Sequence, residues 1–395
     1  MRQERIAGNF FSSSMVAALV YIVYFLCLLP VAIFAFKRPY YNWDMLPYMA
    51  LALKIDHADS NVVHKMTFSI AKADIPTVDY GYLTSGEYRK KMVDSPVDFC
   101  SQLPFYVVKP FYIWMVYLFY KLGFSLALST VLPSILSYLL IGLLLFSWLK
   151  KYLNTSFAFP AALLIMYSVF MVSMARLSTP DPLSSLLLFS AMYLIIEMGS
   201  LTGIFLLMWL SILTRLDNLI TCLFILSFLT FAGKWLKRIP VKLYMLMVFI
   251  FISSYITIAY TTRMNGWHFL YYPTFVRYYD LAHHLNAGFS LPRYLQLFYS
   301  KAATAMAYTH FTVFAFFVLL ILIKPLPIRL RLLSFDQLFS LLFISIIIIR
   351  FILFPDLDDR FYTSFYLVVI ILFVKRYTEL IFSLPREQKI VEGKY

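Results

Sequence analysis

The sequence predicts an all-α fold, a polytopic transmembrane helical bundle of about ten spans, and three observations carry that expectation. The 395-residue chain is 62% hydrophobic and only 14% charged, with a mean hydropathy of +0.77, a balance foreign to water-soluble globules. Apolar runs recur from Val16 to Val374, each near the roughly 20 residues that cross a hydrocarbon core of about 30 Å as a helix. Charge is also divided. Lys and Arg gather at the ends of apolar segments on one side, while Asp44, Asp181, Asp217 and Asp356 to Asp359 fall on the other.

The first run, Met15 to Phe36, has no small-residue cleavage site behind it and leads into an aromatic-rich loop, so it reads as an uncleaved span. With Arg2 and Arg5 held inside, it leaves the cytoplasm. The polar stretch from Lys37 to about Pro104 is far longer than an ordinary connection and is therefore read as functional. Later runs occupy about 126–149, 156–174, 182–197, 200–214, 218–232, 241–261, 303–323, 335–353 and 361–374, two of them short for a full crossing. Their basic junctions are Lys150-Lys151, Lys234 to Arg238, Lys324 to Arg331 and Lys375-Arg376. All four face the cytoplasm only if Phe105 to Leu122 does not cross. Lys109-Pro110 and the Tyr/Trp content of that segment suit a helix lying in, or re-entering, the outer interface. The alternative, an eleventh span, would put four basic clusters outside. The expectation is thus a single integral membrane domain, 1–395, with both termini cytoplasmic, a long extracytoplasmic loop with interfacial helices over 37–125, and a second such loop over 263–301.

The formal net charge of +14 sits mostly at span ends, where it sets topology and meets anionic membrane lipids, so nucleic acid is not an expected partner. Cys27, Cys100 and Cys222 are scattered and suggest neither a disulfide framework nor a metal motif. There is no Walker loop, dinucleotide fingerprint, zinc-protease motif or nucleophile elbow. His283-His284 are adjacent and would point in different directions on a helix.

The candidate chemistry lies on the acidic side. Asp44, in Tyr40-Tyr41-Asn42-Trp43-Asp44, is an acid among aromatic rings at the bilayer surface, where desolvation raises basicity and suits it to take a proton from a hydroxyl. Equally, it precedes an apolar helical stretch, Met45 to Leu53, that it could cap. In Arg176-Leu177-Ser178-Thr179-Pro180-Asp181-Pro182 the prolines fix a turn, and an Arg176 to Asp181 pair is the structural alternative to a functional Asp181. Arg215-Leu216-Asp217-Asn218 repeats the theme, with Asp217 another possible cap. Asp356-Leu357-Asp358-Asp359-Arg360 offers oxygen ligands to a divalent cation or is a solvated turn. Lys109 must find an anion or snorkel to water, and a lipid phosphate is the natural partner. Arg263, Arg277 and Arg293, interleaved with Trp267, His268 and several tyrosines, add phosphate-binding and sugar-stacking chemistry.

The order of these features resembles the GT-C superfamily of polytopic glycosyltransferases, the group that includes protein O-mannosyltransferases and the aminoarabinose transferase acting on lipid A. The resemblance spans Met15 to about Val374. Asp44 stands where those enzymes carry a base Asp. Val107-Val108-Lys109-Pro110 through Lys121-Leu122-Gly123 is similar to their Lys-Pro segment, Thr179-Pro180-Asp181-Pro182-Leu183 to their next acidic turn, and Thr214-Arg215-Leu216-Asp217 to an Arg-Pro-Asp-like turn. Relatives often have a second acid just before the Lys-Pro pair. Here that position is Val108; the candidates to replace it are Asp94 and Asp98, or none, with Asp181 a further candidate for second acid or acceptor ligand.

The resemblance implies transfer of a sugar from a polyprenyl-phosphate-linked donor to a hydroxyl of a lipid, glycan or protein at the extracytoplasmic face, with inversion. Asp44 would be the base, and Lys109 with Arg263 or Arg360 would bind the donor phosphate. No cofactor is required, and assistance by a divalent cation stays open. A bacterial inner membrane is the expected location. The rivals are an O-antigen polymerase or ligase, dependent on the Arg263 to Arg293 loop, and a flippase for a lipid-linked glycan, marked by broken helices and ionisable residues near the midplane.

Overall fold

The structure, a computed structural model, describes residues 13–197, 199–231, 239–262, 275, 289–323 and 333–383, and these are all-helical apart from turns and one isolated bridge. Helix α1 (Ser13–Lys37) opens the chain. Seven short helices follow: α2 (Met45–Leu53), α3 (Ser60–Asp74), α4 (Thr77–Thr84), α5 (Glu87–Asp94), α6 (Pro96–Gln102), α7 (Pro104–Val107) and α8 (Pro110–Lys121). The bundle continues with α9 (Leu126–Leu149), α10 (Thr155–Met166), α11 (Val169–Ala175), α12 (Asp181–Ile196), α13 (Leu201–Thr214), α14 (Asn218–Phe231) and α15 (Val241–Thr261). It closes with α16 (Leu291–Tyr308), α17 (Phe311–Leu322), α18 (Phe335–Leu353) and α19 (Thr363–Ser383), the last preceded by a 3-10 turn at Asp359–Phe361.

Four of these helices, α1, α9, α15 and α18, are long and apolar enough to cross a membrane, or seven spans result if each of three bent pairs counts as one. The chain is therefore built as a helical membrane protein. Helices α12, α13 and α14, with 16, 14 and 14 residues, reach only about 21–24 Å at 1.5 Å per residue.

Two of the expected spans are not single helices. The run 156–174 breaks between α10 and α11 with a bend of 66°, because the Ser168 hydroxyl accepts the Met171 N–H at 3.3 Å and starts a new helix. The run 303–323 breaks at Thr309-His310 with a bend of 75°. There the helix begins at Leu291, inside what the sequence reading treats as the second loop, and its apolar continuation is α17 alone. Apart from Phe275, Phe289 and Ser290, the loop before that helix, including Arg263, Arg277, Trp267, His268 and His283-His284, lies outside the described residues, as do the Lys234 to Arg238 and Lys324 to Arg331 junctions.

Two apolar cores hold the fold. The bundle core joins α1, α9, α12, α14, α18 and α19 through residues such as Tyr24, Phe146, Trp148, Phe189, Phe343 and Phe365. Helix α1 meets α9 closely at Gly142, where a Cβ would lie 2.6 Å from a Leu28 methyl, so a larger residue there would force the Leu28 side chain to shift. The second core wraps α2, α3 and α6 around Met49, Phe68, Phe99 and Tyr112 and closes on Leu126 of α9 and Leu183 of α12.

Charges sort the helix ends into two groups. At one end Glu197 accepts from Trp148 Nε1 at 2.8 Å, Tyr152 OH at 2.7 Å and Lys151 Nζ at 2.6 Å, and Lys375 pairs with Asp336 at 3.0 Å. At the other end lie Asp181, Arg215, Asp217, Arg350 and Arg360, joined in one ion network. The helices α12, α13, α14, α18 and α19 thus alternate so that their acidic turns meet.

Candidate functional site

The chain after α1 is stitched to the turn before α12. Tyr40 N–H donates to the Arg176 carbonyl at 2.9 Å, Arg176 Nε donates to the Arg38 carbonyl at 2.6 Å, and the Ser178 hydroxyl donates to Asn42 Oδ1 at 2.9 Å. Trp43 Nε1 donates to the buried Gln102 at 3.0 Å and fixes the same segment from the other side. These bonds place Asp44 between the short helices and the bundle.

Asp44 occupies the N-cap position of α2 without capping it; the side chain makes no cap hydrogen bond, and Asn42 Oδ1 accepts the Met45 N–H at 3.3 Å. The Asp44 carboxylate instead accepts from Tyr106 OH at 2.9 Å through Oδ1. Among the described residues Oδ2 has no hydrogen-bond partner. Lys109 sits between α7 and α8, at a bend of 112° between Pro96–Val107 and Pro110–Lys121. Pro110 starts the second helix and has no N–H to lose. Lys109 Nζ donates to Tyr48 OH at 2.6 Å and lies 5.2 and 5.3 Å from the Tyr48 and Tyr106 ring centres, both within cation–π range. Tyr48 is one helical turn beyond Asp44, so its ring packs edge-on to Tyr106 at 5.3 Å and to Tyr112 at 4.8 Å. An acid and a cation thereby share one aromatic cage. Burial pulls the Lys109 ammonium down to about 8, with Arg215 and Arg360 adding to the effect and Asp44 and Asp217 opposing it. Those four groups are therefore all within electrostatic reach of Lys109.

The second part of the site is the ion network. Asp181, buried at 3% exposure, accepts from Thr179 Oγ1 at 2.7 Å, pairs with Arg215 Nη1, and has Arg360 Nη1 at 3.6 Å. Arg215 forks onto Asp217 through Nε at 3.1 Å and Nη2 at 2.9 Å, the bidentate geometry a planar guanidinium favours. Arg350 of α18 pairs with the same Asp217 oxygen. Burial alone would raise the Asp217 carboxyl, but the Arg215 and Arg350 guanidiniums override it and hold Asp217 well below the usual carboxylate range. Phe361 packs between Arg215 and Arg360, 4.1 and 5.0 Å from their guanidinium carbons. Arg360 Nε lies 2.9 Å from Asp358.

The structural alternative of an Arg176 to Asp181 pair does not form, since Arg176 turns to the Arg38 carbonyl and Asp181 to Arg215. Asp217 is held by two arginines. The acidic turn is divided: Asp358 faces Arg360, and Asp359 faces His310 and Tyr366. Among the described residues no group of three His, Cys, Asp or Glu side chains is arranged to hold a metal ion.

Of the predicted site residues, Asp44 and Lys109 share the aromatic cage, Asp181 and Arg360 share the ion network, and the Arg360 charge acts on Lys109 electrostatically. Asp98, in the first turn of α6, pairs with Lys91 at 3.1 Å, and Asp94 closes α5; neither is joined to Asp44 by a described contact. The Ser95 hydrogen bond and the Lys91 ammonium hold the Asp98 carboxyl below its ordinary value. Arg263 lies outside the described residues. Tyr48, Tyr106 and Arg350 were not singled out by sequence. Arg350 had a signal, a lone cation in an otherwise apolar run, whereas the tyrosines are lost among 30 of their kind.

The fold and site define a helical membrane protein with a cluster of charged and aromatic side chains at one end of its bundle. No family model matches the chain, no curated protein matches it, and no solved structure matches its fold.

Proposed function

We propose that the chain is a GT-C-like glycosyltransferase with about ten spans, working at the extracytoplasmic face of a bacterial inner membrane. It takes a sugar from a polyprenyl-phosphate carrier and moves it to a hydroxyl of a lipid, glycan or protein. The observation that carries the reading is the shared cage of Asp44 and Lys109, an open carboxylate oxygen beside a desolvated ammonium that the Arg360 charge acts on.

In the step itself, the acceptor hydroxyl oxygen forms a bond to the anomeric carbon and passes its proton to Asp44 Oδ2. The bond from that carbon to the phosphate oxygen breaks, and its electron pair stays on the lipid phosphate. Lys109 and Arg360 balance the charge gained there. In-line displacement inverts the anomeric centre. Tyr106 and Tyr48 position the base and the ammonium, and the Asp181-Arg215-Asp217-Arg350 network keeps the underlying turns in register.

One observation favours a flippase instead: three helix pairs are sharply bent, as in proteins that move a substrate through the membrane. The clustering of the ion network and the cage at one end of the bundle argues for an enzyme.

Mass spectrometry of envelope glycolipids, glycans and polyprenyl-phosphate sugars in source cells lacking the chain separates the two. Loss of one sugar mass on an acceptor, with accumulation of the matching lipid-linked sugar and rescue only by wild type and not by Asp44→Asn, supports transfer. Full rescue by Asp44→Asn contradicts it.

A further inference from the structure

A second polar group stands apart from Asp44 and Lys109, where α16 and α17 meet. Asp359 accepts the backbone N–H of His310 at 2.9 Å and Tyr366 OH at 3.0 Å, and its other oxygen lies 2.6 Å from His310 Nδ1. A carboxylate in that position makes Nδ1 an N–H nitrogen, which in the neutral ring leaves Nε2 with the lone pair. Among the described residues Nε2 has no hydrogen-bond partner. The ring is anchored, yet the side chain is 57% exposed.

The imidazole lines a cavity of about 330 Å³, within the roughly 300–1,000 Å³ of small-molecule sites. Its walls are apolar: Leu164 and Ile165 before the first helix break, Phe314 and Phe317 of α17, and Leu367 and Ile370 of α19. Its polar groups are Ser168 at one helix break, His310 at the other, and Thr363 and Tyr366 at the start of α19. Thr363 bonds its own turn and Ser168 caps α11. His310 thus presents to the cavity a ring nitrogen with no hydrogen-bond partner among the described residues, whereas the hydroxyls already bond their own turn, the start of α11 or Asp359.

We infer that this cavity binds a hydroxyl-bearing amphiphile, its hydrocarbon part against the apolar walls and its hydroxyl donating to His310 Nε2, with Asp359 and Tyr366 as positioning residues. The apolar lining admits a hydrocarbon, and the oriented Nε2 acceptor favours an alcohol over a chain that lacks one. The site goes beyond the transfer reading, and its test reads binding alone, so either can fail without the other.

The test is photolabelling of the full chain in lipid nanodiscs with a diazirine-bearing long-chain fatty alcohol and with its methyl ether, followed by peptide mapping. The alcohol should label segments 164–171 and 363–370 about fivefold more than the ether, the worth of one net hydrogen bond. His310→Asn, which can still bond Asp359 through Nδ2 but carries its acceptor Oδ1 away from the Nε2 position, should bring the two probes level. Val313→Trp, which fills the cavity from α17, should remove label from both segments for both probes. Three results overturn the site: equal labelling by the two probes in wild type, a preference that survives His310→Asn, or labelling no heavier than on the exposed face of α15 around Phe249, which would mean surrounding lipid only.

Discussion

Replacing Arg215 by alanine tests whether the ion network is what holds the acidic turns together. Arg215 is only 14% exposed and contacts two carboxylates from two different turns, one of them at 3% exposure. Its removal leaves Asp181 with Thr179 and an Arg360 at 3.6 Å. Breaking a buried pair from one side costs about 3–5 kcal/mol, since the orphaned charge remains. A convenient reporter lies next to the network: Cys222 is fully buried, and its thiol lies 3.6 Å from the Ser211 hydroxyl. In a Cys27→Ala, Cys100→Ala background, maleimide reaches Cys222 only when α13 and α14 part. A loss of about 3 kcal/mol in the opening equilibrium speeds labelling by about two orders of magnitude. The control is Lys91→Ala, which removes a pair whose side chains are 56% and 34% exposed; surface pairs contribute about 0–1 kcal/mol, so labelling should change by less than about fivefold. If Arg215→Ala labels at the control rate, the network does not hold these turns and the reasoning fails.

Three further outcomes are expected. Asp44→Asn should lower sugar transfer by about 10²- to 10⁴-fold, the range for loss of a general base, while Tyr106→Phe, which removes only the bond to Oδ1, should cost far less; initial rates on the two variants decide it. Lys109→Met should weaken transition-state stabilisation by about 10²- to 10³-fold, and donor affinity in wild type should fall as pH rises past about 8, where the Lys109 ammonium loses its proton; titration of donor binding from neutral to alkaline pH checks the sign. Glu197→Ala leaves Trp148 Nε1, Tyr152 OH and Lys151 without their acceptor at the opposite end, and should cost about 1–3 kcal/mol in thermal stability with little effect on donor affinity.

Where hydropathy and charge act locally, sequence reasoning succeeded. The apolar stretch Met45 to Leu53 is a helix with those bounds, and the turns at Asp181, Asp217 and Asp358 meet at one end because each lies on the same side of alternating helices. The breaks at Ser168 and His310 were not read, because apolar residues continue on both sides and a hydropathy window averages over a bend. Ser168 was a visible cap signal. Pairing was less legible still. Arg176 and Asp181 are five positions apart, but the partner of Asp181 comes from the next helix pair, and Arg350 reaches Asp217 across 133 positions. Hydrogen bonds such as Tyr106 to Asp44, 62 positions apart, depend on how the short helices fold back, which no local pattern encodes.

The proposed activity is tested most directly by product release. The purified full chain in nanodiscs is incubated with the lipid extract of source cells and a total envelope acceptor fraction, and free polyprenyl phosphate is quantified by mass spectrometry. The account predicts that wild type liberates polyprenyl phosphate in step with glycosylation of one acceptor and that Asp44→Asn and Lys109→Met do neither. Release that is equal in wild type and Asp44→Asn, or no release while the lipid-linked sugar merely changes leaflet, would contradict it.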